Sequence, residues 1–98
     1  MERAIEWSPK ASSEYLRLVD YLLSEWGSGT ATRFIDRLSF ILDIIIKQPE
    51  IYPSTLKRKN VRRCVVTKQV SLYYRVAKDK IELIAIYDNR IDPSKKQL

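Results

Sequence analysis

Val61–Arg90 reads VRRCVVTKQVSLYYRVAKDKIELIAIYDNR, and this stretch decides the fold. It divides into three runs, VRRCVV, VSLYYRV and IELIAIY, rich in Val, Ile, Leu and Tyr and separated by short polar gaps, the composition expected of strands. Such gaps permit only antiparallel neighbours, because a parallel return needs a crossover of a dozen or more residues. With Lys68-Gln69 and Ala77–Lys80 as the turns, Val65 faces Leu72, Leu72 faces Ala85 and Tyr74 faces Leu83. Val61, Val70, Val76, Ile81 and Tyr87 then join these residues on one apolar face. The other face carries Arg62, Cys64, Ser71, Tyr73 and Arg75 beside Glu82, Ile84 and Ile86, and reads as a basic surface bearing tyrosine. Lys68-Gln69 is not the Asn-Gly pair of a tight hairpin, and a slip of one residue would exchange the two faces.

Working back from this stretch, Pro49–Asn60 (PEIYPSTLKRKN) is a loop ending in the basic run Lys57-Arg58-Lys59. Before it, Ala31, Phe34, Ile35, Leu38, Ile41, Leu42 and Ile45 recur at helical spacing, predicting a helix with Thr30 as N-cap that stops at Gln48 before Pro49. Phe40, Ile44 and Ile46 widen its apolar stripe beyond half the circumference. That breadth fits either a deeply buried helix or a docking surface for a partner. An earlier helix spans Pro9–Trp26, with Ser8 as N-cap, Pro9 in the first turn and Gly27 ending it. Its buried face holds Ala11, Tyr15, Leu18, Val19, Leu22 and Trp26. Arg3–Trp7 is a short alternating strand at a sheet edge. The order β-α-α-β-β-β in one domain gives an α+β fold: an antiparallel sheet with a helical hairpin packed on one face. The tail beyond Arg90 is polar and expected to fray.

The 98 residues suit a single domain with its own core. With no histidine and one cysteine, Cys64, the chain can form no intrachain disulfide and offers no metal site. No metal or cofactor is expected, and the default location is the cytoplasm. The start MERAIEWSP lacks an apolar leader, and no run is long enough to span a membrane. Eighteen Lys and Arg against 12 Asp and Glu leave a net charge of +6, which favours nucleic acid or an acidic protein as partner.

Catalytic chemistry has little to work with. No histidine or activated cysteine is present to build a nucleophile–base pair. Asp79, Glu82, Asp88 and Asp92 are scattered and lack the spacing of metal ligands. The basic residues are better grouped: Lys57, Arg58, Lys59, Arg62, Arg63, Arg75 and Arg90 lie in or beside the sheet. Arginine clamps phosphate or carboxylate through paired hydrogen bonds, and tyrosine stacks on bases. Against this, Arg75 is placed to pair across strands with Glu82. Arg62 and Arg90 show no local partner in the sequence.

Taken in order, IEWSPKA, YLLSEWGSGTATRFIDRL, QPEIYP, NVRRCVVTKQVSLYYRV and IYDNRIDP resemble the RelE/ParE superfamily of toxins from bacterial type II toxin–antitoxin modules, over nearly the whole chain. The resemblance implies a helical hairpin on an antiparallel sheet and a growth-halting toxin neutralised by a small acidic antitoxin. It also implies contact with operator DNA through that antitoxin. The superfamily contains ribosome-dependent messenger-RNA endonucleases, which are RelE-like, and poisons of DNA gyrase, which are ParE-like. Of the nuclease branch's motif positions, the first lysine falls on Arg62 and the last arginine on Arg90. Its second lysine falls on Cys64, its middle arginine on Ser71, and its tail tyrosine has no counterpart. The long helical hairpin also resembles the gyrase-directed branch, so the resemblance favours a ParE-like toxin. In that case Lys57, Arg58, Lys59, Arg62, Arg75 and Arg90 are the target-binding set. A variant nuclease would instead rely on Arg62 and Arg90, with Lys57, Lys59, Tyr73 or Tyr87 as substitutes. The antitoxin is expected on Phe34, Leu38, Phe40, Ile41, Ile44 and Ile45. A third reading is a co-repressor that binds antitoxin and DNA without toxicity.

Overall fold

In the computed structural model, residues 3–55, 58 and 60–91 are described. The elements are β1 (Ala4–Trp7), α1 (Pro9–Trp26), α2 (Ser28–Lys47), β2 (Arg62–Thr67), β3 (Val70–Val76) and β4 (Lys80–Asp88). They form one sheet in the order β1-β4-β3-β2. The hairpin strands β2, β3 and β4 are antiparallel, as their short gaps require. β1 instead joins β4 in parallel, from Ala4 opposite Lys80 to Trp7 opposite Leu83, so the sheet is mixed. The two helices between β1 and the rest of the sheet supply the crossover that parallel pairing needs.

Ser8 fastens this crossover. Its hydroxyl accepts the Ala11 N–H at 3.0 Å, capping α1, and donates to the Ile84 carbonyl at 3.0 Å. Its N–H reaches the Leu83 carbonyl, also at 3.0 Å. One small side chain therefore starts the helix and ties it to the central strand. Gly27 separates the helices alone, at φ +91° and ψ 169°, a region open essentially to glycine only. Because the Gly27 carbonyl already accepts the Ala31 N–H, α2 begins at Ser28 rather than after a Thr30 cap. Thr30 instead accepts from Arg33 Nη2.

The core lies between the helices and one sheet face. Ala11, Leu18 and Leu22 of α1 and Ala31, Phe34, Leu38, Ile41 and Ile45 of α2 pack on Cys64, Val66, Val70, Leu72, Tyr74, Ile81, Leu83 and Ile86. Trp26, expected in this core, is 55% exposed.

Two bulges reset the expected faces. The Lys68-Gln69 turn pairs Thr67 with Val70, but Val66 is then an extra residue, so Val65 meets Ser71 and Cys64 meets Leu72. Cys64 consequently enters the core while Val65 turns outward, 52% exposed. In the next ladder Tyr74 faces Leu83 as expected. Ile84 is extra there, so Tyr73 meets Ala85 and Leu72 meets Ile86. Ile86 therefore joins the core. Ala85 and Tyr87 move to the opposite face, where they form a second buried cluster with Val61 and Tyr73. That face is an aromatic patch of the protein's own, not an open basic surface.

Candidate functional site

The residues expected to bind a target occupy two ends of the sheet. Arg62 lies opposite Tyr74, and Arg75 opposite Glu82, at one end. Arg90 follows Asp88, which lies opposite Val70, at the other. At roughly 3.3 Å per residue, the strand between Val70 and Tyr74 separates these ends by about 13 Å. Lys57 and Lys59 lie outside the described residues, and Arg58 is exposed in the loop.

At the first end the arginines are engaged by the protein itself. Arg62 Nη1 donates to the Tyr52 carbonyl at 2.7 Å and to the Glu50 carbonyl at 3.3 Å, holding the loop that precedes β2. Tyr74 Oη donates to the Pro49 carbonyl of the same loop at 2.7 Å. Burial pushes the Tyr74 phenol up to about 12. Arg75 Nε pairs with Glu82 at 3.0 Å, the cross-strand pair that the sequence offered as its structural role. Arg63 donates to Ser71 Oγ through Nε and Nη2, at 3.2 and 3.0 Å.

At the second end the chain builds a held cation. The Asp88 side chain is fully buried, and its carboxylate accepts from the Arg90 N–H at 2.8 Å, Nε at 3.0 Å and Nη2 at 2.6 Å. Hydrogen bonding to Asp88 raises the Arg90 pKa further still, against a smaller opposing effect of burial. The guanidinium also lies 5.5 Å from the ring centroids of Tyr21 and Trp26 at the end of α1. Arg90 is thus a packed, paired residue and not the unpartnered terminal charge that the sequence implied. The signal for this was local: an acid two residues before an arginine at a strand end. Trp26, expected in the core, serves here as a half-exposed stacking platform.

The tyrosines named as substitutes for a nuclease are both interior. Tyr73 is 1% and Tyr87 5% exposed, with their rings 5.8 Å apart, edge to face. Burial also raises the Tyr73 phenol, which weakens it as an acid near neutral pH. Lys10 donates to the Tyr87 hydroxyl, and its ammonium sits 4.2 Å from that ring's centroid. Lys10 also pairs with Glu14 at 2.8 Å, and Glu14 accepts the Ile86 N–H at 3.0 Å. This Lys10–Glu14–β4 connection was missed from sequence, although Lys10 and Glu14 are four apart on one helix face. The Cys64 thiol is fully buried and pushed up by burial, which leaves it inert. Of the six residues expected to meet an antitoxin, Phe34, Leu38, Ile41 and Ile45 are 0–4% exposed beneath the sheet and have no surface to offer. Phe40 is 56% exposed and Ile44 half-buried. Among the described residues, no group of three or more acidic or cysteine side chains is placed to hold a metal, and no helix is long and apolar enough to cross a membrane.

Residues 5–93 match the family model of the ParE toxin of the type II toxin–antitoxin system parDE. The chain belongs to the ParE toxin family. Its fold is shared by a chain of the chromosomal ParDE toxin–antitoxin system of P. aeruginosa at a TM-score of 0.72 and 15% identity, covering 88% of this chain and 95% of that one. The YoeB dimer from Staphylococcus aureus gives 0.63 at 15% identity, over 87% and 94% of the two chains. The E. coli DinJ–YafQ toxin–antitoxin complex gives 0.62 at 15% identity, over 94% and 98%. No curated protein matches the chain in sequence. The match and the shared fold make this ParE-family chain the toxin component of a type II system.

Proposed function

We propose that the protein arrests bacterial growth by binding DNA gyrase, acts in the cytoplasm without catalysing a reaction of its own, and is held inactive by a small acidic antitoxin. One observation carries the choice of target. At two positions where the nuclease branch keeps cations, this chain has Cys64, sealed in the core, and Ser71, buried and bonded to Arg63. Tyr73 and Tyr87 are likewise interior, so neither is presented to a messenger RNA. A rigid cation at Arg90 suits recognition of an acidic surface, because the side chain is ordered before the target arrives.

The antitoxin reading rests on the net charge of +6 and on apolar side chains left outside the core. Leu16 is 63%, Phe40 56% and Ile35 38% exposed. A disordered acidic segment that folds on binding would cover them, in a helix-on-surface mode. The same antitoxin would bring the toxin to operator DNA.

The test is induced expression in a bacterium, followed by supercoiling assays with purified gyrase and primer extension on a translated message. Growth arrest with inhibited supercoiling and an intact message is the expected result. Codon-specific cleavage on ribosomes would establish a RelE-like nuclease that uses Arg62, Arg90 and the loop lysines. Undisturbed growth on induction without the antitoxin, by a chain that still binds the antitoxin, would establish a co-repressor.

A further inference from the structure

Trp26 closes α1 at the corner where the chain turns into α2, and it is 55% exposed. A lone exposed apolar side chain needs no explanation, but this one is fixed in place. Its indole Nε1 donates to the Tyr21 hydroxyl at 3.4 Å. Its ring centroid lies 5.5 Å from the Arg90 guanidinium, which is equally far from the ring of half-buried Tyr21. Arg90 is in turn forked onto buried Asp88. The corner is also open, since no atom lies within 4 Å of where a Cβ on Gly27 would stand. A cation–aromatic contact at an exposed site contributes little to stability, so packing alone does not account for an indole held half in water.

We infer that Trp26 is a target-contact residue: its indole enters an apolar cleft on the protein that the toxin inhibits, while Arg90 beside it meets a carboxylate at the rim of that cleft. The identity of the protein as gyrase rests on the reading above; the chemistry of the contact does not. Tryptophan and arginine are enriched among the few side chains that carry most of the energy of an interface, and here they pack together. Both are ordered before the partner arrives, so docking costs little side-chain freedom. The indole has one N–H, and Tyr21 already accepts it, so the ring offers a partner apolar area and needs no acceptor from it. The charge of the corner selects an acidic rim. Arg33 and Arg37 share a cavity with Arg90, and no acid lines it; exposed Glu25 on the last turn of α1 opposes these three cations.

The test is the dose of soluble toxin needed to arrest growing cells, compared among the parent, Trp26→Ala, Trp26→Leu, Trp26→Phe and Leu23→Ala. Leu23 is 47% exposed on the same helix and serves as the control. Removing an interface anchor weakens binding by about 30-fold or more, so Trp26→Ala is expected to need at least about tenfold more toxin. Trp26→Leu and Trp26→Phe, which still fill an apolar cleft, should fall between it and the parent, and Leu23→Ala should match the parent. Each purified variant is also followed by NMR at the Arg90 Nε–H, which reports the bond to Asp88, and this resonance is expected to stay in place. Arrest by Trp26→Ala at the parent's dose overturns the inference. So does a loss accompanied by a displaced Arg90 resonance, which would make Trp26 a positioning residue only. Activity kept by Trp26→Phe but lost equally by Trp26→Leu and Trp26→Ala would instead indicate stacking on a nucleobase, and would overturn the protein cleft. Supercoiling by purified gyrase is measured alongside. A parent that leaves gyrase active removes the gyrase reading while the dependence of arrest on Trp26 stands; inhibited gyrase with a fully active Trp26→Ala does the reverse.

Discussion

The two ends of the sheet hold similar arginines in opposite circumstances. Arg62 and Arg75 are engaged by loop carbonyls and by Glu82, so their positive charge serves the fold. Arg90 is held by an acid with no solvent exposure and lies against the rings of Tyr21 and Trp26, and it also borders a cavity with Arg33 and Arg37. Counting cations along the strands does not separate these cases. What separates them is what each guanidinium is tied to: Arg90 to a fully buried acid beside a cavity, Arg62 to the carbonyls of the loop it holds, and Arg75 to a partly exposed acid on the next strand. A cation tied to a buried acid is ordered before a target arrives; the other two serve the loop and the sheet.

If this contrast holds, the largest effect on stability comes from the buried acid. Asp88→Ala leaves the half-buried Arg90 without its partner and is expected to cost about 2–3 kcal/mol, below the ~3–5 kcal/mol of fully buried pairs because Arg90 keeps some solvent. For a domain of this size, thermal unfolding should then fall by roughly 10–20 °C. A change of only a few degrees would show that Asp88 is not holding Arg90 in solution. Arg62→Ala removes two donations to the preceding loop and is expected to cost about 1–2 kcal/mol. Hydrogen exchange should accelerate at Thr55 and Arg63, whose amides bridge loop and strand, while Asn89 stays protected.

A smaller effect is read through pH. The Tyr74 phenol is raised from 10.0 to about 12 by burial, so between those values the folded chain keeps a proton that the unfolded chain has released. Its contribution is complete below about pH 10 and is lost as pH rises toward 12. Tyr74→Phe should flatten this alkaline decline while costing about 1 kcal/mol at neutral pH through the lost bond to Pro49. An unchanged decline would move the cause to other groups. The smallest effect belongs to Arg75→Ala, where an exposed pair is worth about 0–1 kcal/mol. Both its melting temperature and its growth arrest should match the parent.

The helices were legible in the sequence because their signals were redundant. Ser8, Pro9 and Gly27 punctuate α1 at both ends, and its bounds agree with the structure. The strands and the Lys68-Gln69 turn were equally clear. The faces were not, because each bulge falls on an ordinary strand former, Val66 or Ile84, within an unbroken apolar run. Nothing in such a run shows which residue is extra, yet that residue decides whether Cys64 or Val65 is buried. The parallel placement of β1 was also hidden, since four residues carry no mark of their partner. At the candidate site, Arg90 was singled out from sequence as a candidate, but its setting was not legible there. Asp88, Tyr21 and Trp26 converge on it from two elements, and only the strand order brings those elements together.

Growth arrest by Arg90→Gln, set against Arg62→Ala and Arg75→Ala, tests most directly which end of the sheet meets the target. Glutamine keeps an N–H donor for Asp88 and removes the charge, a milder loss for that buried carboxylate than alanine would cause. Colony formation is scored under induction, with soluble toxin matched between strains and the melting temperature of each variant recorded. Arg90→Gln is expected to grow while Arg62→Ala and Arg75→Ala remain arrested. Full arrest by a folded Arg90→Gln, with growth restored by Arg62→Ala, would place the target surface at the opposite end of the sheet.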